Sequence, residues 1–315
     1  MEKYRKFSDP ATSCNPFLPA SIGKPSKERI LNQLIRFSVM GLILTARIPL
    51  ILAVSVFVGI SDILCMVPLV SGLLFRPAIR PLFSWLLLAL FGIFTGFSAH
   101  QADLRRLKMR PGTVSPKLES LAVVSYHGFV DVLVHSAVTR PNSFVFQSLD
   151  GKLVACMTVI GAIYYAMNSP LLTYNESVTV RLREHSVLFV SPSPSNGQGI
   201  LGINGNLLVS ACKGKAVTLA VIEYNSCGPQ DAHHLTDSWE AHILKLALNW
   251  GCSARIIVSP RAISISNPQE VSEAKSFLAR LFNPVASETD IDPSRYLEFR
   301  NYWIETQKGD YAKSK

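Results

Sequence analysis

The stretch Leu121–Asp131 has the sequence L-A-V-V-S-Y-H-G-F-V-D, and it decides the fold that we predict. Its first five residues carry no charge, which is typical of a strand buried on both faces of a parallel sheet. A small polar turn follows and contains His127 and, at its far end, Asp131. Functional groups in open α/β sheets lie at the carboxyl ends of the strands, so this turn is the predicted active-site region.

If a helix begins at Gly128, His127 and Asp131 lie four positions apart and point to the same side. The carboxylate can then hold the imidazole in one tautomer while the other ring nitrogen takes a proton from a hydroxyl group. This arrangement predicts His127 as a general base and Asp131 as the residue that orients its ring. The chain has 7 histidines, so a His and an Asp at this spacing also occur by chance. The interpretation therefore depends on the rest of the chain.

The composition points to a membrane. Only 17% of the 315 residues are charged, and the mean hydropathy is +0.25. The formal net charge of +9 is concentrated in residues 1–36 and 101–117, which flank the most apolar part of the chain. Such flanks favour the cytosolic leaflet, where anionic headgroups attract Lys and Arg. Aromatic residues are not interleaved with these charges, so we expect no nucleic-acid binding.

The most apolar part of the chain predicts a membrane-embedded segment over residues 37–99. From Phe37 to Phe75 the only charges are Arg47 and Asp62, which leaves enough length for two passes of about 19 residues. Those charges would be costly at the bilayer centre, and prolines and glycines interrupt the run. We therefore expect a helical hairpin or re-entrant segment. The alternative is that this segment is the core of a soluble helical domain.

Short apolar runs separated by polar turns follow in residues 100–285 and predict an α/β domain with an open, mostly parallel sheet flanked by helices. The predicted strands are 121–125, 143–147, 187–190, 216–224 and 254–258. The predicted helices are 131–138, 151–166, 236–249 and 269–282, the last capped by Asn267. Residues 1–36 are expected to be a disordered cytosolic tail, and residues 286–315 either a tail or a terminal helix.

A second polar loop follows the strand that ends near Phe189. Residues 189–199 read F-V-S-P-S-P-S-N-G-Q-G. Hydroxyls, an amide and glycines can bind phosphate, because Gly lets the backbone approach an anion closely. The candidate ligands in this loop are Ser191, Ser193, Ser195, Asn196 and Gly197. Loops of this composition are also common as solvated turns.

The cysteines are scattered along the chain. There are 6 of them and none forms a C-x-x-C pair. This distribution predicts neither a metal site nor a disulfide framework, and it favours a reducing, cytosol-facing compartment.

Taken together, these segments resemble the glycerolipid acyltransferases, which transfer a fatty acyl group from acyl-CoA to a lysophospholipid. That family has four blocks, roughly H-x-x-x-x-D, G-x-x-F-I-x-R, F-P-E-G-T-x-S-N-G and V-x-P-V-x-I-x-Y. Similar segments follow in the same order here: His127–Asp131, Gly161–Asn168, Phe189–Gly197 and Val217–Tyr224. The likeness covers roughly residues 37–265. Within the family, the chain is similar to the fungal lysophosphatidic acid acyltransferases of the endoplasmic reticulum and lipid droplets.

The resemblance implies an enzyme that converts lysophosphatidic acid to phosphatidic acid for phospholipid and triacylglycerol synthesis. It implies a cytosol-facing catalytic domain on the endoplasmic reticulum or lipid droplets, with acyl-CoA as co-substrate, membrane lipid and lysophospholipid as partners, and no metal or other cofactor. His127 would be the base, Asp131 its orienting group, and Asn168 would stand where the family has a phosphate-binding arginine. Lys152, Lys213 or Lys215 would then supply the missing charge.

The departures from the family pattern leave an alternative open. His127 is one residue closer to Asp131 than in the family, and Tyr126 occupies the histidine position. The glutamate of the third block is also missing. The alternative is therefore a catalytically eroded membrane adaptor that keeps the fold. A lipase of the α/β-hydrolase type is not predicted, because the sequence has no G-x-S-x-G motif.

Overall fold

The computed structural model describes residues 2–12, 14–17, 27–66, 78–96, 98–102, 121–148, 152–168, 185–191, 195, 199–200, 205–212, 215–226, 239–247, 251–260, 262–282, 286–288, 291–292 and 294–313. The strands are β1 Ile93–Thr95, β2 His100–Gln101, β3 Leu121–Val124, β4 Ser143–Gln147, β5 Leu153–Cys156, β6 Ser186–Phe189, β7 Gly199–Ile200, β8 Ala216–Ser226, β9 Cys252–Val258, β10 Ile263–Ser264 and β11 Ser287–Glu288. A 3-10 helix, Glu2–Phe7, precedes α1 Lys27–Met66, α2 Arg80–Leu90, α3 Phe129–Val138, α4 Val159–Asn168, α5 Gly205–Cys212, α6 Trp239–Ala247, α7 Pro268–Leu281 and α8 Arg295–Lys313.

Within the described residues, nine strands form one mixed sheet whose main path is β1-β9-β8-β3-β6-β4-β5. The four central strands, β8, β3, β6 and β4, are parallel. Strand β9 is antiparallel to β8, and β5 is antiparallel to β4. The five strands predicted from the sequence are confirmed, and β3 lies at the centre between β6 and β8. The α/β class with a mostly parallel sheet flanked by helices is therefore also confirmed.

Helices cover both faces of this sheet. Side chains along β3 alternate, as they must in a strand. Ala122 and Val124 face a core built with α1, α2, α3, α4 and α6. Leu121 and Val123 face a second core built with α5 and α7. Burial on both faces explains why β3 is a continuous apolar run instead of an alternating one.

The predicted helix over residues 151–166 is wrong in its first half. Leu153–Cys156 forms strand β5, which pairs with the edge of β4, and α4 begins only at Val159. Thr158 sets that start, because its hydroxyl accepts a hydrogen bond from the Gly161 N–H at 3.0 Å. Periodicity cannot distinguish so short an apolar run from a helix segment. The cap predicted at Asn267 is confirmed, since its side chain accepts from the Glu270 N–H at 2.9 Å.

Helices α1 and α2 run antiparallel to each other. Phe57 stacks on Phe83 with 5.4 Å between ring centroids, and Asp62 pairs with Arg80 at 3.5 Å. Asp62 follows Phe57 in α1, whereas its partner Arg80 precedes Phe83 in α2, so the two helices run in opposite directions. A helical hairpin was expected within residues 37–99, but α1 already begins at Lys27, and the segment after α2 contributes β1 to the sheet.

The two chain termini pack together. Residues 1–36 were expected to be a disordered tail, but Tyr4, Phe7 and Phe17 are buried against Tyr296 and Phe299 of α8. Apolar aromatic side chains supply the surface that a packed segment needs. Of the two alternatives for the carboxyl terminus, the terminal helix is therefore the one that forms.

Candidate functional site

A tight turn between β3 and α3 positions the predicted base. Gly128 caps α3 with φ 154° and ψ −172°, a backbone region that is essentially restricted to glycine. This conformation lets the chain leave the strand and enter the helix within a few residues. His127 consequently lies at the carboxyl end of the central strand, where α/β proteins bind their ligands.

Hydrogen bonds at both nitrogens fix the His127 ring, which is only 1% exposed. Nδ1 lies 3.0 Å from the backbone oxygen of Ser195, and Nε2 lies 3.1 Å from Oγ of Ser125. A carbonyl oxygen can only accept, so Nδ1 carries the proton in the neutral ring. Nε2 is therefore the acceptor, and the Ser125 hydroxyl donates to it.

Asp131 holds the backbone beside the base. Its Oδ2 accepts from the His127 backbone N–H at 2.6 Å, and its Oδ1 accepts from the Tyr224 hydroxyl at 2.5 Å. The sequence predicted that this carboxylate would orient the imidazole, but each ring nitrogen has a partner elsewhere. The reason is that α3 begins at Phe129, which places Asp131 in the first turn. A first-turn carboxylate there reaches back to an N–H group that precedes the helix, as in a capping box.

Aromatic rings enclose the imidazole. The rings of Phe282 and Tyr224 pack edge-on against it, with distances between ring centroids of 5.7 Å and 6.2 Å. Phe282 directly follows α7, and Tyr224 lies on β8. The base is thus held in a largely apolar surrounding, where hydrogen bonds and charges interact more strongly than in water.

Tyr126 connects this turn to two other elements. Its hydroxyl donates to the carbonyl oxygen of Ala166 on α4 at 2.8 Å. Its own carbonyl accepts from the Ser195 N–H at 3.0 Å. Family spacing would assign the base to this position, but here the Tyr126 hydroxyl is engaged in the hydrogen bond that holds α4 in place.

The predicted phosphate ligands are only partly brought together. Ser191 and Ser195 are both buried beyond the end of β6, and Ser195 acts through its backbone, as described above. Asn168 lies at the end of α4 and donates to the Tyr164 carbonyl of the same helix at 2.8 Å. Ser193, Asn196, Gly197 and Lys213 lie outside the described residues. Lys215 is exposed and Lys152 is half-buried.

The structure adds three residues that the sequence interpretation did not assign to the site, namely Ser125, Gly128 and Tyr224. A signal for the first was present, since S-x-H directly after a buried strand places a hydroxyl next to an imidazole. Tyr224 belongs to the fourth family-like block, but only the folded sheet shows that it reaches Asp131. Within the described part of the chain, no group of three His, Cys, Asp or Glu side chains is arranged to hold a metal ion.

A second buried histidine lies further along α3. His135 is fully buried, and this burial lowers its pKa to about 3. Its Nδ1 lies 3.4 Å from the Thr139 hydroxyl, and its ring packs edge-on against Phe189 at 6.1 Å. An imidazole with so low a pKa is a weak base, so His135 is a structural residue of the core.

No protein-family model, curated protein sequence or solved structure matches this chain.

Proposed function

We propose that this chain is an acyl-CoA-dependent acyltransferase that transfers a fatty acyl group to the hydroxyl of a lysophospholipid. The favoured acceptor is lysophosphatidic acid, and the product is then phosphatidic acid. One observation carries the proposal: residues from all four family-like blocks, far apart in the chain, meet at the carboxyl end of β3, where the Ser195 carbonyl lies at Nδ1 of His127 and leaves Nε2 as the acceptor. No metal or other cofactor has a part in it.

The convergence of the blocks can be followed through hydrogen bonds. The first block contributes His127, and Ser195 of the third block binds its ring across 68 positions of sequence. Tyr224 of the fourth block binds Asp131 across 93 positions. The second block forms most of α4, whose Ala166 carbonyl holds the residue next to the base. The four blocks thus lie together at the carboxyl end of β3, the edge at which α/β sheets bind their ligands.

His127 can act as the general base of acyl transfer, whose simplest form is a direct attack of the acceptor on the thioester. Nε2 takes the proton of the acceptor hydroxyl while the hydroxyl oxygen attacks the thioester carbonyl carbon, and the C–S bond then breaks. The imidazolium returns that proton to the departing thiolate, so CoA leaves as a thiol and the base is regenerated. The Ser195 carbonyl stabilises the positive charge that the ring carries between these two steps.

An apolar surface next to this domain supports a membrane location. The segment Thr45–Cys65 of α1 has a mean hydropathy of 2.3 and is long enough to cross a bilayer. One face of α1 packs on the domain, and the other exposes large apolar side chains, among them Val56 at 61% and Ile63 at 66%. The neighbouring residues Leu82 of α2 and Ile160 of α4 are exposed as well.

Such a one-sided surface fits insertion into a single leaflet. A lipid-droplet monolayer has only one aqueous side, so it can accept this surface, but it cannot accept a helix that crosses to water. With the family resemblance, this surface supports our proposal that the protein lies on the cytosolic face of the endoplasmic reticulum and on lipid droplets. Its lysolipid acceptors are in the same leaflet.

The test is acyl transfer from labelled oleoyl-CoA to lysophosphatidic acid by the purified full-length protein in detergent. His127→Gln keeps a polar side chain but removes the base, so we expect activity to fall by about 100- to 10,000-fold. His135→Gln is the matched control, because it changes the buried histidine of the adjoining helix α3 without touching the site. Folded protein that transfers no acyl group to any of several lysolipids would overturn the proposal and favour the membrane adaptor.

A further inference from the structure

We propose that Ser125 is a second catalytic residue, which accepts the acyl group from the thioester and forms an acyl-serine ester before the acceptor reacts. This proposal rests on the proposed function only for the identity of the acyl donor. The transfer would then proceed in two chemical steps through a covalent enzyme intermediate, in place of a direct attack of the acceptor hydroxyl on the thioester.

The Ser125–His127 pair has the geometry of a nucleophile and its base. The Ser125 hydroxyl donates to Nε2 at 3.1 Å, within the range for an activated nucleophile. The base is in turn oriented by a third group, the Ser195 carbonyl, 3.0 Å from Nδ1. Nucleophile, base and orienting group are the three parts of a hydrolase triad, here with a backbone oxygen in place of the carboxylate.

Other buried serines near the sheet have different partners. Ser143 pairs with Ser186 through their hydroxyls at 2.7 Å, and Ser84 pairs with Ser136 at 2.8 Å. Neither pair includes a group that can take a proton during a reaction. Ser125 is thus distinguished by its base and by its place directly after the central strand.

The position of the hydroxyl also suits a reaction that develops negative charge. Ser125 and His127 directly precede α3, whose amino-terminal end carries a partial positive charge. That charge stabilises the oxyanion of a tetrahedral intermediate. Ser125 is 5% exposed, and the rings of Phe282 and Tyr224 flank the base. A site of this kind keeps water away from an ester intermediate.

The two steps balance as follows. Oγ of Ser125 attacks the thioester carbonyl carbon while Nε2 takes the hydroxyl proton, the C–S bond breaks, and the thiolate leaves with that proton as CoA thiol. The lysophospholipid hydroxyl then attacks the acyl-serine carbonyl while Nε2 takes its proton. The bond to Oγ breaks, and the proton returns to Oγ. The enzyme ends unchanged, and no oxidant or further co-reactant is needed.

The experiment mixes wild-type protein with oleoyl-CoA without acceptor, quenches the reaction in acid, and locates any oleoyl group by peptide mass spectrometry. We expect one oleoyl group on the peptide that contains Ser125 and one equivalent of CoA thiol released rapidly. Neutral hydroxylamine distinguishes this oxygen ester from a thioester on cysteine. Varying both substrates should give ping-pong kinetics.

Variants separate a nucleophile from a structural hydroxyl. Ser125→Ala should lose the acyl adduct and reduce transfer by more than about 100-fold. Ser125→Cys keeps a nucleophile and should form a hydroxylamine-labile thioester. Ser143→Ala removes a buried hydroxyl pair elsewhere in the sheet and should retain the adduct and the activity.

The outcomes of this experiment also separate the two proposals. Efficient transfer by Ser125→Ala, with no adduct on the wild-type protein, would overturn the acyl-serine and leave the acyltransferase standing. An acyl adduct on Ser125 that water slowly hydrolyses, but that is transferred to no lysolipid, would support the acyl-serine and overturn the proposed acyltransferase. Neither adduct nor transfer, from folded protein, would overturn both.

Discussion

The role of Asp131 can be tested by the substitution Asp131→Asn. In the structure, this carboxylate binds the His127 backbone N–H and the Tyr224 hydroxyl, while the Ser195 carbonyl orients the ring. Asparagine can still accept from the N–H group through its amide oxygen, and its amide NH₂ can donate to the tyrosine oxygen. The substitution should therefore weaken the turn without changing the tautomer of the base.

The expected magnitude follows from the bonds that change. Charge-assisted hydrogen bonds are roughly twice as strong as neutral ones, so two bonds that become neutral cost about 1–2 kcal/mol. If all of this loss were felt in the transition state, kcat/KM would fall about 5- to 30-fold. An aspartate that orients the imidazole has a much larger effect, since its replacement by asparagine costs about 10,000-fold in a serine protease.

The assay is kcat/KM for acyl transfer, together with unfolding in urea. Asp131→Ala is the companion variant, because it removes the acceptor of the buried His127 N–H and of the half-buried Tyr224 hydroxyl, and a buried donor that loses its acceptor costs about 1–3 kcal/mol. We expect it to lose stability strongly, whereas Asp131→Asn should remain folded and partly active. If Asp131→Asn keeps its stability and loses as much activity as His127→Gln, the carboxylate orients the ring during catalysis and our assignment is wrong.

Three further predictions test the turn, the core and the membrane surface. Gly128→Ala should lower the free energy of unfolding in urea by about 1–3 kcal/mol and lower activity, because alanine rarely adopts this backbone conformation. In the control Gly205→Ala the added Cβ would make only ordinary contacts, and equal losses of stability in both variants would refute the argument. Burial lowers the pKa of His135 to about 3, so the unfolded chain binds the extra proton as the pH falls below the ordinary value. The free energy of unfolding should then decrease by about 2 kcal/mol as the pH falls from about 7 to 5. His135→Leu should remove most of this pH dependence, and an unchanged dependence would contradict the prediction. Val56→Glu places a charge on the exposed apolar face of α1, and such a charge costs up to about 2.5–3.5 kcal/mol at a bilayer centre. This variant should therefore float with anionic vesicles much less than the control Ile304→Glu on α8, and equal flotation would contradict the proposed membrane surface.

The sheet was predictable because its strands are buried on both faces. Each central strand contains an uninterrupted apolar run, namely Leu121–Val124, Phe144–Phe146, Val187–Phe189 and Leu219–Ile222, and such runs have few alternatives in an α/β chain. The failure at Leu153–Cys156 has the same physical origin. A short apolar run pairs with whatever edge is open, and only the neighbouring strand β4 decides that it is extended instead of helical.

The sequence predicted the position of His127 at the carboxyl end of a buried strand, but not all the contacts of its side chain. The contact with Ser195 was not predictable, because Ser195 contributes a backbone carbonyl, which every residue has and no sequence pattern reveals. The start of α3 at Phe129 redirected Asp131 to the backbone, and that boundary depends on the glycine conformation at the turn.

The packed amino terminus was missed for a related reason. Residues 2–17 show little apolar periodicity, and this was taken as evidence of disorder. Their aromatic side chains find a surface only on α8, nearly the whole chain length away. A few aromatic contacts of that range can order a short segment, but their partners cannot be identified until the fold is known.

A chain of hydrogen bonds connects the hairpin of α1 and α2 to the His127 ring. Asp62 on α1 accepts from the Ile160 N–H at the start of α4 at 3.0 Å, and Ala166 near the other end of α4 accepts from Tyr126. Tyr126 then holds Ser195, which holds the His127 ring. Every link is a buried or half-buried bond, and α4 between them is a rigid helix. Helix α4 is thus one rigid connection that fixes the distance between the His127 ring and the apolar face of α1, and in the proposed function it would hold the base at a fixed height above the leaflet that supplies the acceptor.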